Sequence, residues 1–99
     1  MPKRAIKLGP DAIRRFKALS AAERSRLAAA MHGALGEDDA TIQSKNRFRL
    51  RRPSGQSEFE FRDDDLRVFY RVEGNRVVID AIGRKRSNQL FIGGRRVTL

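Results

Sequence analysis

Apolar residues recur along this chain with two different periods, and the change falls near its middle. Arg4 to Leu8 reads as a short strand, after which Gly9-Pro10-Asp11 supplies a break, a fixed φ and a carboxylate suited to a helix start. Ile13, Phe16 and Leu19 then recur every third residue while Arg14, Arg15 and Lys17 take the other side, which predicts an amphipathic helix of about three turns. Ser20 with Glu23 three positions on forms a capping box and opens a second helix. Its Leu27, Met31 and Leu35 fall at i, i+4 and i+8, with alanines at the sides, so the two helices are expected to form a closely packed hairpin. Gly36 stops this helix, and Glu37 to Asn46 is a polar connector without periodicity.

Beyond the connector the period is two. Phe48-Arg49-Leu50-Arg51 alternates, Phe59 and Phe61 alternate with Glu58, Glu60 and Arg62, and Leu66, Val68, Tyr70 and Val72 alternate with Arg67, Phe69 and Arg71. These are three half-buried strands. Arg76 to Ile82 is apolar on both sides except at Asp80, as in a central strand. The tail from Leu90 to Leu99, with Gly93-Gly94 inside it, reads as a short strand pair folding back on the sheet. The fold class is α+β in the order β-α-α-β-β-β(-β), a helical hairpin on one face of a twisted, mainly antiparallel sheet. Residues 1–99 form a single domain.

The apolar faces of linked strands must coincide, and this sets the expected register. A turn at Asp63-Asp64 places Glu60 opposite Arg67 and Phe59 opposite Val68. A turn at Gly74-Asn75, a favoured pair, places Val72 against Val77 and Tyr70 against Ile79. On the open face Arg67 then falls opposite Ile82, just before Gly83-Arg84-Lys85-Arg86. Four cations gather at one end of the sheet, with Arg49 and Arg51 at its rim.

Composition turns this cluster into a functional expectation. The formal charge is +10, and of 22 basic residues 17 are arginines, whose planar fork grips phosphate. If the cluster neutralised about six phosphates, binding would fall roughly a thousandfold between 50 and 200 mM salt. The absence of Cys removes thiolate chemistry, disulfides and cysteine zinc sites, and fits the reducing cytoplasm. No apolar run has signal or membrane length, so neither export nor a membrane partner is expected. His32, the one histidine, reads as a helix flank, and Ser44 has no glycine elbow, which disfavours a Ser-His-Asp hydrolase. Glu37-Asp38-Asp39 and Asp63-Asp64-Asp65 sit at a helix end and a hairpin turn, where local backbone roles account for them; no metal or cofactor is expected. For stacking on an exposed base, Phe69 and Phe91 are the candidates, Tyr70 being assigned to the core face.

The element order, together with Leu66-Arg67-Val68-Phe69-Tyr70-Arg71-Val72 and Val77 to Gly83 followed by Arg84-Lys85-Arg86, resembles the RelE/ParE superfamily of toxins from type II toxin–antitoxin pairs. The resemblance spans nearly the whole chain. It implies a compact cytoplasmic toxin held inactive by a cognate acidic antitoxin. RelE-like members enter the ribosome and cleave mRNA by aiding attack of a ribose 2′-oxygen on the adjacent phosphate; ParE-like members poison DNA gyrase. By this resemblance Arg67, Lys85 and Arg86 are the catalytic candidates, and Arg49, Arg51, Arg84 and Phe91 contact nucleic acid. The chain departs from the RelE pattern at three places. Glu58 and Glu60 stand where strand lysines are usual, Lys85 stands where arginine is usual, and Phe91 replaces a residue that is commonly tyrosine. The implied function is a toxin that inhibits translation, by mRNA cleavage if the nuclease chemistry is kept. The alternatives are a gyrase-binding toxin and a toxin-fold module without nuclease activity.

Overall fold

In the computed structural model of the chain, the backbone is described over residues 3–54, 57–87, 89–92 and 95–97, and side chains over 3–50, 57–87 and 89–92. Strand β1 (Ala5–Leu8) leads into helix α1 (Pro10–Ala18), and helix α2 (Ala21–Met31) follows after two residues. Strands β2 (Arg47–Ser54), β3 (Ser57–Asp63), β4 (Leu66–Glu73) and β5 (Arg76–Arg86) then form an antiparallel meander, extended by the short strands β6 (Gln89–Ile92) and β7 (Arg95–Val97). The result is an α+β fold with two helices on a mixed sheet.

The long strand β5 organises the molecule. One of its edges pairs with β4 from Arg76 to Arg84. The other is shared: β1 runs parallel to Arg76–Ile79, and β6 runs antiparallel to Arg84–Arg86. Gly9 donates its backbone N–H to the Ile79 carbonyl at 2.8 Å where β1 ends, so α1 leaves the sheet halfway along β5 and lies across that strand. A Cβ at Gly9 would meet the same carbonyl at 3.1 Å, closer than most side chains tolerate.

Helix α1 starts with Pro10 at its first position, where the missing N–H costs nothing, and Asp11 in its first turn complements the helix dipole. The buried residue of α1 is Ala12, with Phe16 and Leu19 packed beside it, whereas Ile13 remains 39% exposed. Spacing decides this: positions 12, 16 and 19 stay on one stripe, while a strict three-residue repeat from Ile13 drifts around the helix. The capping box forms, with Ser20 Oγ accepting from the Glu23 N–H and Glu23 Oε1 accepting from the Ser20 N–H. Leu27, Met31 and Leu35 are all buried. The helix does not stop at Gly36; it widens into a π-helical turn over His32–Glu37, closed by the Asp38 N–H on the Gly33 carbonyl. Gly36 is buried there against β1, where the Arg4 N–H donates to its carbonyl at 2.8 Å. Helix α1 rests on β5 rather than chiefly on α2, so the two helices are neighbours on one sheet face more than a tightly packed pair.

The connector carries a fixed point: Ala40 is fully buried, and the Tyr70 hydroxyl donates to its carbonyl at 2.7 Å. Burial pushes the Tyr70 pKa up to about 12. Phe59 stacks on Tyr70 with ring centroids 5.2 Å apart, joining β3 and β4 within the core.

Two registers differ from expectation. The β3–β4 turn is Asp64-Asp65, with Asp64 at φ 55, a left-handed conformation that Asp accepts more readily than most residues. Phe59 therefore faces Tyr70, Phe61 faces Val68, and Arg67 faces Arg62 instead of Glu60. The β4–β5 turn matches expectation, with Val72 on Val77 and Tyr70 on Ile79, but a bulge then inserts Asp80. Past it, Val68 faces Ile82 and Arg67 faces Gly83. The bulge turns Ile82 into the core and swaps the faces of everything after it. The tail pairs as expected, β6 with β5 and β7 with β6; Gly93-Gly94 lies outside the described residues. Among the described residues no helix is long and apolar enough to cross a membrane.

Candidate functional site

Directly paired residues share a sheet face, so the register assigns each cation at the end of β5 to one side or the other. On the face away from the helices, Arg62 of β3, Arg67 of β4 and Gly83 of β5 form one row, with Lys85 two residues farther along β5. Arg67 donates Nη1 to the carbonyls of Asp64 at 2.7 Å and Leu66 at 2.9 Å, and no carboxylate pairs with it among the described residues. Lys85 likewise has no acidic partner there, its backbone N–H being held by the Asp65 carbonyl at 2.8 Å. Arg62 donates Nε to Glu60 Oε2 at 2.9 Å and stacks its guanidinium 4.3 Å from the Phe48 ring centroid. Two arginines facing each other across a ladder oppose folding. Here Glu60, only 7% exposed, lies beneath one of them and turn carbonyls hold the other.

Gly83 is what lets this face stay open to one side and closed on the other. A Cβ at Gly83 would come within 2.8 Å of Ile92 Cγ1 and 2.9 Å of the Phe91 carbonyl, so β6 packs over the bare backbone. Leu90 and Ile92 thereby border the row that Arg67 occupies.

The opposite face is built from the same stretch of chain. Arg84 donates to Glu23 Oε2 at 2.8 Å and to Asp65 Oδ2 at 2.6 Å, tying β5 to the first turn of α2 and to the β3–β4 turn. The Glu23 carboxyl is held below its ordinary range, chiefly by the hydrogen bond from Arg84 and then by the Ser20 N–H; Arg84 is raised by Glu23 and Asp65. Arg86 and Phe91 lie on this side too, lining a cavity of about 530 Å³ with Arg15 and Leu19 of α1 and with Leu66 and Ile82 of the sheet.

The predicted site residues therefore separate. Arg67 and Lys85 come together on the open face. Arg84, Arg86 and Phe91 come together on the helix-facing side. Arg49, opposite Phe59, also faces the helix side, with its guanidinium 4.8 Å from the Phe59 ring centroid. The side chain of Arg51 lies outside the described residues. Phe69 is 3% exposed, flanked across the ladders by Glu60 and Ala81, and presents no ring to a base. The acidic clusters hold the chain's own cations: Asp39 accepts from Thr41 and Arg4, Asp38 from Arg47, Asp63 from Arg26 and Asp65 from Arg84. Hydrogen bonds from Thr41 and then Arg4 bring the Asp39 pKa down to about 2.

Sequence reasoning missed Arg62 and Arg15. Arg62 follows from the correct hairpin register, which three successive aspartates leave ambiguous. Arg15 has no local signal, because it looks like any residue on the polar side of an amphipathic helix. No known family model and no curated protein matches the chain.

Proposed function

We propose that the chain is a toxin of the RelE/ParE type that inhibits translation by engaging the phosphodiester backbone of mRNA on the ribosome. The observation that supports this reading is the open-face row: Arg62 and Arg67 directly opposed, Lys85 beside them, and Arg67 and Lys85 without carboxylate partners among the described residues. Glu60 already offsets the charge of Arg62, so the positive charge left for an anion on this row is that of Arg67 and Lys85. RNA phosphate suits the forked donors of Arg67, whose remaining N–H groups are available to a ligand. If the bound backbone is cleaved, the ribose 2′-hydroxyl gives its proton to solvent as its oxygen attacks the adjacent phosphorus, the bond to the 5′-oxygen breaks, and that oxygen takes a proton from solvent, leaving a 2′,3′-cyclic phosphate and a 5′-hydroxyl. Arg67 and Lys85 then stabilise the extra negative charge on the phosphoryl oxygens. An acidic antitoxin and a cytoplasmic setting belong to the same reading.

A second reading, a toxin that binds DNA gyrase without chemistry, is favoured by one observation: among the described residues no carboxylate pairs with Arg67 to move a proton. Glu60 is buried under Arg62, and Phe91 lies on the other face. Induction in cells followed by mapping of mRNA 5′ ends, run beside a gyrase supercoiling assay, separates the two. Codon-phased cleavage supports the first, and loss of supercoiling with intact mRNA supports the second. Neither effect, with growth unchanged, removes both.

A further inference from the structure

The open-face row contains one cation whose charge is already compensated. Arg62 donates Nε to Glu60 Oε2 at 2.9 Å, and Glu60 is 7% exposed, so this guanidinium sits on a buried carboxylate and offers little net charge to a phosphate. What the pair leaves is a surface. The Phe48 ring lies against the guanidinium with its centroid 4.3 Å away, while Glu60 holds the Nε edge, so two independent contacts fix the plane of the fork. The Arg62 side chain is nonetheless 42% exposed, which leaves the other side of the plane and its terminal amino groups to solvent. The plane also stands at the end of a ladder, where the Arg62 N–H donates to the carbonyl of exposed Asn46 at 2.9 Å, one residue before β2 begins.

We infer that the Phe48–Arg62 stack is a platform for a nucleobase of the RNA strand whose phosphate is held by Arg67. The inference rests on the proposed function and assigns residues to the base where that reading assigned them only to the backbone. Arg67 is the direct cross-strand neighbour of Arg62, with Cα atoms about 4.5 to 5.5 Å apart in any such pair, so the stacked base lies within one nucleotide of the bound phosphate. A guanidinium plane stacks on a base as an aromatic ring does. A plane held from behind and at one edge loses little freedom when a base lands on it. A second phosphate fits this position less well, because the Glu60 carboxylate at the same fork repels it. Phe69, in the same row as Phe48 and Glu60, is 3% exposed and does not compete for the base. Stacking strength favours a purine, which has the larger π-face.

The test is titration of the full chain at low salt with fluorescent oligoadenylate, oligouridylate and an abasic ribose-phosphate oligomer of equal length, read by polarisation. Oligoadenylate binds about tenfold more tightly than the abasic oligomer, within the worth of one stacked base, and oligouridylate falls between them. Arg62→Lys keeps the charge beside Glu60 but removes the plane. It brings oligoadenylate down to the abasic level while abasic binding changes by less than about twofold. Phe48→Leu keeps apolar volume but removes the ring behind the plane, and it weakens oligoadenylate by about threefold. Arg67→Gln weakens all three probes alike, and melting curves of every variant verify folding. Equal binding of oligoadenylate and the abasic oligomer, or equal losses on both in Arg62→Lys, overturns the platform and leaves the phosphate contact at Arg67 standing. Failure of every probe to bind overturns RNA engagement and the platform together. A chain that separates the probes but neither cleaves mRNA nor arrests growth sinks the toxin reading and keeps the platform.

Discussion

Arg67 and Arg84 stand on directly neighbouring strands, one residue apart in register, and the chain treats them in opposite ways. Arg84 is locked between Glu23 and Asp65 and holds α2 against the sheet. Among the described residues Arg67 is anchored only by two carbonyls of its own turn, and it faces a second arginine. A carboxylate partner satisfies a guanidinium's charge as well as its hydrogen bonds, whereas a carbonyl satisfies only the latter. Arg67, with its carbonyl anchors, keeps its positive charge for a ligand, and Arg84, with its carboxylate anchors, converts its charge into structure. The Asp80 bulge creates the division, since without it Arg84 and Arg86 would share a face with Arg67.

The largest expected effect follows from removing the unpaired member. Arg67→Ala should reduce toxicity on induction, read as growth arrest or mRNA cleavage, by about a hundredfold or more, the loss typical of one transition-state donor. It should leave the melting temperature nearly unchanged or raised, because an opposed cation is gone. Arg84→Ala should do the reverse, lowering stability by about 1 kcal/mol while growth arrest persists. An Arg67→Ala chain that arrests growth at wild-type level would break the comparison. Next in size is salt dependence. Two open-face cations without acidic partners among the described residues, Arg67 and Lys85, predict that single-stranded RNA binding falls about sevenfold between 50 and 200 mM salt. A drop near a thousandfold would mean that both faces contact phosphate, and that the division described above is not functional.

Much of this fold was legible in the chain. The capping box at Ser20 and Glu23, the buried stripe of Leu27, Met31 and Leu35, and the Gly74-Asn75 hairpin are each set by contacts within a few residues. The site was less legible because it depends on two events that local pattern does not specify. Any two neighbours of Asp63-Asp64-Asp65 can make a two-residue turn that keeps face parity, so only packing chooses between them. A bulge at Asp80 inserts one residue without disturbing the apolar content of either side of β5, and the hydrogen bonds that hold Asp80, from Arg71 and Ser57, come from β4 and β3. The first event exchanged Glu60 for Arg62 opposite Arg67. The second moved Arg84, Arg86 and Phe91 to the helix side.

A smaller effect tests how the two faces are kept apart. Gly83→Ala places a Cβ against the Phe91 backbone carbonyl and Ile92, neither of which can yield without moving β6. The expected cost is about 1 to 3 kcal/mol, measured by denaturant melts. Displacement of β6 also carries Phe91 away from the cavity lining, while RNA binding through Arg67, on the other face, should change little. A large loss of RNA binding would show that the faces are mechanically coupled.

The smallest effect separates the two kinds of anchor by pH. Glu23 has its folded pKa depressed, chiefly by Arg84, so its contribution to stability is present above the ordinary carboxylate range and is lost as pH falls through the lowered value. The carbonyls that hold Arg67 do not titrate. Acidification from neutral pH should therefore loosen the Arg84 junction between α2 and β5 before it alters the open face. Melting temperatures of the wild type should decline more steeply below about pH 4.5 than those of Glu23→Gln, which keeps a side-chain acceptor at the cap but has no charge to lose. Parallel curves for the two chains would mean that Arg84 is held by Asp65 alone, and the contrast between a carboxylate-anchored and a carbonyl-anchored arginine would then rest on one ion pair instead of two.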